Sequence, residues 1–362
     1  LVLAENGRSK YRIVISRGAT PSERYAAQEF RRLFREMSGV ELPILEGARR
    51  DRFEIRIHDC EDVSVWEPGP DGYAIRARDD SITLAGGLPR GVVYAVYDFF
   101  EKRLGGRWFA RDVAIMPRRD NMVLEPFHEL HRPRFEYREV FYTEAFDGDF
   151  AARLRSNGAH ARLDAKHGGK IAYFPFVHTF HTILPPDKYF KDHPEYFSEI
   201  DGRRVGAGAQ LCLTNPDVLR LTIECVKGWI RDHPDAAIFS VSQNDCFNNC
   251  QCKSCKAIDE REGSPSGSLL AFVNKVAEAV PDRLIDTLAY QYTRRPPKNL
   301  KPRENVIVRL CSIECCFSHP IETCDVNQAF RDDLVAWSKV ISWGRRWPEP
   351  VQRWVPGPTA TS

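Results

Sequence analysis

The sequence has no apolar run approaching the roughly 18 residues that a membrane-spanning helix requires, so no such span is expected. It also has no block of a single charge: 52 Lys and Arg are interspersed with 50 Asp and Glu, for a formal net charge of +2. That balance excludes a polyphosphate-binding surface and argues against a nucleic-acid partner. Complete phosphate-binding motifs are missing. Gly86-Gly87 precedes an expected helix, but neither dinucleotide nor P-loop spacing surrounds the pair, which reads as a turn. The zinc-protease motif is missing too, because His128 and His131 are three residues apart and Pro133 stops any helix there; this segment is expected to be a linker. No cleavable leader is visible, and the chain opens on Leu1, which points to a processed mature chain or a fragment. The stretch from Trp343 to Ser362 lacks Leu and Ile, holds three of the seven Trp and four Pro, and has neither helical nor strand periodicity. It is expected to be the aberrant or disordered end of a longer protein.

What is present is enough for a large core. Of the 362 residues, 43% are hydrophobic and 11% aromatic, and the length suits two domains. Residues 11–15 alternate as a strand. Thr20, Pro21 and Glu23 then form a capping-box helix start, Ala26, Ala27, Phe30, Leu33, Phe34 and Met37 recur at three and four, and Gly39 stops the helix. Strands are expected over 53–57, 72–77 and 81–85, with Asp79-Asp80 as a hairpin turn, and a helix over 90–104. These make a small α+β domain over residues 1–127.

From Phe135 the chain repeats strand, polar loop and helix. Strands are expected over 135–142, 210–213, 237–242, 284–290 and 306–312, and helices over 150–156, 216–230 with Asn215-Pro216 as cap and first turn, 268–280 and 328–341. The alternation implies parallel strands with right-handed crossovers. The leading architecture for 128–342 is a (β/α)8-type barrel, incomplete with about six strands visible against the eight the fold requires; an open doubly wound sheet is the alternative. In a barrel, chemistry collects at the carboxyl ends of strands. Those ends offer Glu144, then Gln243, Asn244 and Asp245, then Gln291 and Tyr292, then Glu314. A long aromatic and histidine-rich connection contains Lys166, His167, His178 and His181 and suits the wall of a sugar-sized pocket. Each of these has a plainer reading: Glu144 and Lys166 as surface ion pairs, His178 and His181 as satisfied half-buried rings. Asp245 is the stronger candidate, because an acid that closes a buried strand is costly unless used or paired.

Several runs resemble known families. Leu211-Cys212-Leu213-Thr214-Asn215-Pro216, a helix, and then Phe239-Ser240-Val241-Ser242-Gln243-Asn244-Asp245 resemble the third-to-fourth strand passage of glycoside hydrolase family 20, the β-hexosaminidases. Asp71-Gly72-Tyr73 through Gly86-Gly87-Leu88-Pro89-Arg90-Gly91 to Trp108-Phe109 resembles the small domain preceding the barrel there and in the α-glucuronidases. Three further runs resemble the bacterial family named domain of unknown function 4838. They are Lys166-His167-Gly168-Gly169-Lys170 with Phe176-Val177-His178-Thr179-Phe180-His181, Ser242-Gln243-Asn244-Asp245 with Cys250-Gln251-Cys252, and Cys311-Ser312-Ile313-Glu314-Cys315.

The resemblance covers residues 1 to about 341 and implies a glycosidase relative: a carbohydrate substrate, no cofactor required for chemistry, and a periplasmic, cell-surface or secreted location. Hexosaminidases end this strand in an Asp-Glu pair, the Glu as acid and the Asp orienting the substrate's acetamido nucleophile. Asn244 and Asp245 stand in those places. Asn244 offers no charge to a developing cation, which argues against substrate-assisted catalysis. Asp245 is then the general acid, provided burial keeps its proton available, with Glu314 as its partner carboxylate and Glu144 behind it. Gln243, Asn244, Lys166, His167, His178, His181 and Tyr292 are the expected substrate contacts. The alternative is a non-catalytic carbohydrate-binding protein on the same scaffold.

Eight of the eleven cysteines fall in two clusters, Cys246, Cys250, Cys252, Cys255 and Cys311, Cys315, Cys316, Cys324. The first suits a structural zinc or disulfides equally, and the two clusters can also bridge one another; buried free thiols are the plainer reading. A catalytic thiol is least expected, since no elbow motif surrounds these positions. A metal-dependent hydrolase is a distant third function.

Overall fold

A computed structural model describes residues 1–47, 52–59 and 68–341, so the expectation for Trp343–Ser362 falls outside the described residues. The chain is mixed α/β and packs as two units that divide between Lys170 and Ile171.

The strands of the first unit are β1 (Val2–Ala4), β2 (Arg12–Ile15), β3 (Ile44–Glu46), β4 (Glu54–Asp59), β5 (Tyr73–Arg78), β6 (Ser81–Gly86), β7 (Arg107–Ala110), β8 (Val113–Ile115), β9 (Met122–Val123) and β10 (Phe127–His131). Its helices are α1 (Pro21–Ser38), α2 (Gly91–Asp98), continued by a π-helical turn over Phe99–Arg103, and α3 (Gly148–Arg153). Helix α1 begins where the sequence predicts. The Thr20 Oγ1 accepts from the Glu23 N–H at 3.2 Å, the Glu23 carboxylate accepts from the Thr20 N–H at 2.6 Å, and Gly39 ends the helix at φ 75°. Its apolar stripe, Ala26, Ala27, Phe30, Leu33, Phe34 and Met37, is wholly buried. The stripe shares one core with Ile13, Ile55, Ile75, Ile82, Leu84 and the α2 residues Val92 to Val96. The sheet runs β10-β5-β6-β4-β2-β3, parallel from β6 to β3 and antiparallel from β10 to β6. Asp79 and Asp80 turn the β5–β6 hairpin, both at positive φ, as a tight primed turn requires. Gly86-Gly87 has a packing role: a Cβ on Gly87 would stand 1.9 Å from the Gly69 carbonyl oxygen, so only glycine permits this approach of loop to strand end.

Two expectations are corrected here. His128–His131 is no linker; it forms β10, paired with β5 from Phe127↔Ala77 to His131↔Tyr73, because the open sheet edge satisfies its backbone groups. Residues 135–142 form no strand. The backbone of Arg138 bonds instead to Asn157, its N–H giving to Asn157 Oδ1 at 2.7 Å and its carbonyl taking the Asn157 N–H at 2.9 Å. The stretch to Lys170 therefore packs with the first sheet, which puts the division between units well beyond residue 128.

In the second unit β11 (Ala172–Tyr173), α4 (Phe180–Ile183), α5 (Pro186–Tyr189), a small hairpin β12 (Glu199–Ile200) and β13 (Arg203–Arg204), and α6 (Pro216–Asp232) precede β14 (Ala236–Ser240). Then come α7 (Lys253–Glu262), α8 (Ser266–Glu278), β15 (Leu284–Ala289), β16 (Val306–Leu310) and α9 (Gln328–Val340). The sheet is parallel, ordered β11-β14-β15-β16. Among the described residues it has four strands and does not close into a barrel. The expected strand at 210–213 contributes a single bridge, Leu211↔Phe197, because Gln210 and Cys212 are drawn to the cysteine loop described below. One face of the sheet, with Phe239, Val241, Ile285, Ala289, Val306, Val308 and Leu310, joins the core formed with Val218, Val226, Phe272 and Val276. On the other strand positions the alternation brings Ser240, Asp286 and Arg309 together, a polar floor.

Candidate functional site

The carboxyl ends of β14, β15 and β16 lie side by side because the strands are parallel and in register, Ile238 beside Leu284 and Ile285 beside Val306. After β14 the chain runs Val241, Ser242, Gln243 and Asn244, all buried, and then emerges at Asp245. Gln243 Nε2 donates to the Leu288 carbonyl at 3.1 Å and to Thr293 Oγ1 at 2.6 Å, tying this strand end to the turn after β15. Its Oε1 is buried without a partner among the described residues. Asn244 is equally committed: Nδ2 donates to the Ala209 carbonyl at 2.9 Å, and Oδ1 accepts the His181 N–H at 3.0 Å. Both side chains expected to contact substrate hold the loop instead.

Asp245 is exposed, not buried as a strand-closing acid was expected to be; β14 ends at Ser240, and the buried stretch that follows it stops at Asn244. Its Oδ1 accepts the Tyr290 hydroxyl at 2.8 Å, and the Tyr290 hydroxyl oxygen accepts from Gln291 Nε2 at 3.0 Å. Burial, the bond to Asp245 and then the charges of Asp245 and Glu314 push the Tyr290 phenol up to about 12, so it stays a proton donor through the neutral range. Glu314, four residues beyond β16, is exposed and pairs with Arg294 at 3.4 Å. His178 sits across the group at a left-handed φ of 57°, rare for a residue with a Cβ. Its Nδ1 donates to the Gln243 carbonyl at 2.8 Å, and its ring lies 5.7 Å from that of Tyr290. His181 buries Nε2 without a partner among the described residues, and burial lowers its pKa. Tyr292 is influenced by Cys246 and Asp259, and burial raises its phenol well above the ordinary value.

Beneath these ends is a polar floor that the sequence reading missed, since Asp286 and Arg309 lie inside strands. Asp286 is wholly buried, accepts from Ser240 Oγ at 2.9 Å and stands 3.6 Å from Arg309 Nε. Burial raises its carboxyl and the Arg309 charge opposes that shift. The guanidinium lies over the rings of Phe176 and Tyr173 at 4.6 and 5.3 Å. Tyr290 was missed as well; it is the residue immediately after β15.

Glu144, Lys166 and His167 belong to the first unit. Glu144 is exposed in a 3-10 turn, accepting the Arg111 N–H at 3.3 Å. Lys166 Nζ and His167 Nε2 both meet Asp149, at 2.9 and 2.8 Å. The His167 bond, with those of Lys166 and Tyr25, holds the Asp149 carboxyl well below the usual carboxylate range against the effect of burial. A depressed folded-state pKa stabilises the fold above the unfolded value and is lost as pH falls through the folded one. Asp149→Asn should therefore cost about 1 kcal/mol at neutral pH, scaled down because Asp149 is 43% exposed. The gap from the parent should narrow below about pH 4 in urea titrations; a gap unchanged at acid pH would refute this linkage.

The cysteines are placed differently from expectation. The sulfurs drawn together are those of Cys212, Cys250, Cys252 and Cys255, all buried and within 4.8 Å of one another. Cys246 lies outside the group, its sulfur 3.3 Å from Gln210 Nε2. The two clusters do not merge. Cys316, His319 and Cys324 form a separate three-donor group, and among the described residues all cysteine thiols are free.

His319 stands three residues after Cys316, a spacing visible in the sequence. Its Nδ1 is 3.2 Å from the Cys316 sulfur, and this bond brings the Cys316 thiol down to about 7. Cys316 should be the fastest thiol to react with iodoacetamide at neutral pH, and His319→Ala should slow it. Peptide mapping that finds another cysteine labelled first would contradict this.

No curated protein sequence is significantly similar to this chain. Among solved structures it is similar to a family GH115 4-O-methyl-α-glucuronidase with specificity for decorated arabinogalactans, at 12% identity, 87% of this chain, 46% of that one and a TM-score of 0.48. It is similar to the GH20 β-N-acetylhexosaminidase of Streptomyces coelicolor A3(2), at 14% identity, 92% of this chain, 70% of that one and a TM-score of 0.47. It is also similar to the β-N-acetylhexosaminidase of Bacteroides fragilis NCTC 9343, at 14% identity, 92% of this chain, 69% of that one and a TM-score of 0.44. The chain thus spans about half the length of the glucuronidase. One family model matches residues 108–345, most of the chain and all of the strand ends just described, and the chain accordingly belongs to the family described as Domain of unknown function (DUF4838).

Proposed function

We propose that this chain carries the acid/base centre of a glycoside hydrolase, with Asp245 as the proton-transferring carboxylate and Glu314 as its partner. The observation that supports this most is at Tyr290, which follows β15 and whose phenol donates to Asp245 at 2.8 Å, at a strand end paired with the β16 strand that leads to Glu314. The runs Leu211 to Pro216 and Phe239 to Asp245, which resemble the hexosaminidases, support the same class. Two-carboxylate hydrolysis uses one group to protonate the glycosidic oxygen and the other as nucleophile or as base toward water. The buried Asp286–Arg309 pair and the aromatic rings under it give the centre a fixed polar floor. Glu144 ranks behind Glu314, since its carboxylate accepts the Arg111 N–H and it follows none of the parallel strands β14 to β16. The second reading, a carbohydrate-binding protein without catalysis, is favoured by Asn244, which is neutral and fully engaged with Ala209 and His181. Screening the folded chain against aryl glycosides and oligosaccharides tests both. Turnover supports the hydrolase. Glycan binding that persists in Asp245→Asn and Glu314→Gln, with no turnover by the parent, selects the binding protein.

A further inference from the structure

Cys212, Cys250, Cys252 and Cys255 come from two segments far apart in sequence and converge without any disulfide. The Cys212 and Cys252 sulfurs are 3.7 Å apart, far beyond the 2.05 Å of a sulfur–sulfur bond. A tetrahedron with metal–sulfur arms of about 2.3 Å has edges of about 3.8 Å, so this spacing is that of a closed thiolate site. Four buried thiols with no metal would crowd four weak donors around one point. Four thiolates need donors around them, and those are present. The Glu199 N–H points at the Cys250 sulfur at 3.4 Å and the Arg204 guanidinium stands 3.8 Å from it, while the Thr214 hydroxyl lies 3.3 Å from Cys255 and 3.7 Å from Cys212.

We propose that Cys212, Cys250, Cys252 and Cys255 hold a structural zinc ion that clasps the 209–214 segment to the loop bearing Asn244 and Asp245. The clasp has a mechanical route. Gln210, two residues before Cys212, accepts the Asn244 N–H at 2.9 Å and donates to the carbonyls of Asn244, Cys246 and Phe247 at 3.0, 2.7 and 3.2 Å. Fixing Cys212 to the 250–255 stretch therefore fixes both ends of the loop around Gln210. All four positions are cysteine, which leaves no open coordination place for catalysis. The inference does not depend on the hydrolase reading.

The test is elemental analysis of the whole chain purified under reducing conditions, with Co(II) titration of the metal-stripped protein. One zinc per chain that survives Cys316→Ser is expected, with the intense visible bands of a tetrahedral Co(II)–thiolate centre. Cys246→Ser should keep the metal and Cys212→Ser should lose it. Where Cys212→Ser fails to fold, hydrogen exchange of the parent with and without chelator replaces it: residues 244–255 should lose protection while the first sheet does not. Reduced protein that holds no zinc and gives no thiolate bands with Co(II), or zinc that follows Cys246 instead of Cys212, would overturn the proposal.

Discussion

Asp245→Asn is expected to lower kcat/KM for glycan hydrolysis by about 10²–10⁴-fold, the range for losing one general acid–base group, with stability within about 0.5 kcal/mol of the parent. Stability should hold because Asp245 is exposed and its hydrogen bond, among the described residues, is to the Tyr290 hydroxyl. Glu314→Gln should give a loss of the same order if the two acids act as a pair. Tyr290→Phe should give a smaller one accompanied by a displaced pH–rate profile, since the phenol positions the Asp245 carboxylate and donates to it. Full activity in Asp245→Asn would move the chemistry elsewhere in the chain. Azide rescue of the inactive variant, read by the configuration of any glycosyl azide formed, distinguishes a nucleophile from an acid.

The largest effect on folding is expected at Asp71. Its carboxylate is 4% exposed and accepts from Arg90 Nε at 2.8 and 2.9 Å, Arg138 Nη2 at 2.8 Å and Asn157 Nδ2 at 2.9 Å. Arg90 reaches further, to the carbonyls of Gly168 and Gly169 at 3.4 and 3.2 Å. One buried carboxylate thus joins the loop before β5, the start of α2, the stretch around Arg138 and the Gly168-Gly169 turn. Asp71→Ala leaves the buried Arg90 and the partly buried Arg138 guanidiniums with carbonyl acceptors and without this carboxylate, and removing one partner of such a buried pair costs about 3–5 kcal/mol. Urea unfolding of the variant should show that loss; a midpoint within error of the parent would mean that water replaces the carboxylate. The same hub explains why the chain to Lys170 packs with the first sheet, although nothing in the local pattern of 128–170 marks it as part of that sheet.

Which parts were legible follows from the range of the forces involved. Helix α1 was readable to the residue because its cap, its Pro21 start, its apolar stripe and its Gly39 stop all act within a few positions. The β5–β6 hairpin was readable because two adjacent aspartates at positive φ make the turn. The cores of β14, β15 and β16 were visible as short apolar runs. The 135–142 stretch alternates like a strand, yet Asn157 and Arg138 take its hydrogen-bonding groups into a loop, a choice made by a residue outside any local window. Residues 210–213 fail in the same manner, because the Gln210 side chain pairs with the Asn244 backbone across more than thirty positions.

The strand-end residues show the boundary most clearly. By itself, the sequence determined the residue types at these ends, the α/β alternation and the family to which its motifs belong. It did not determine that Gln243 turns inward to Thr293, that Asn244 is spent on Ala209, or that Asp245 is the one left facing solvent, because those outcomes depend on where β14 ends relative to β15. It listed three cysteines of the four-sulfur group from their spacing and took Cys246 as the fourth, the nearest in sequence. Only the tertiary structure brought in Cys212, because a metal-sized convergence of sulfurs is a distance in space, and the loop that closes it is built by α6 and β14 between the two segments.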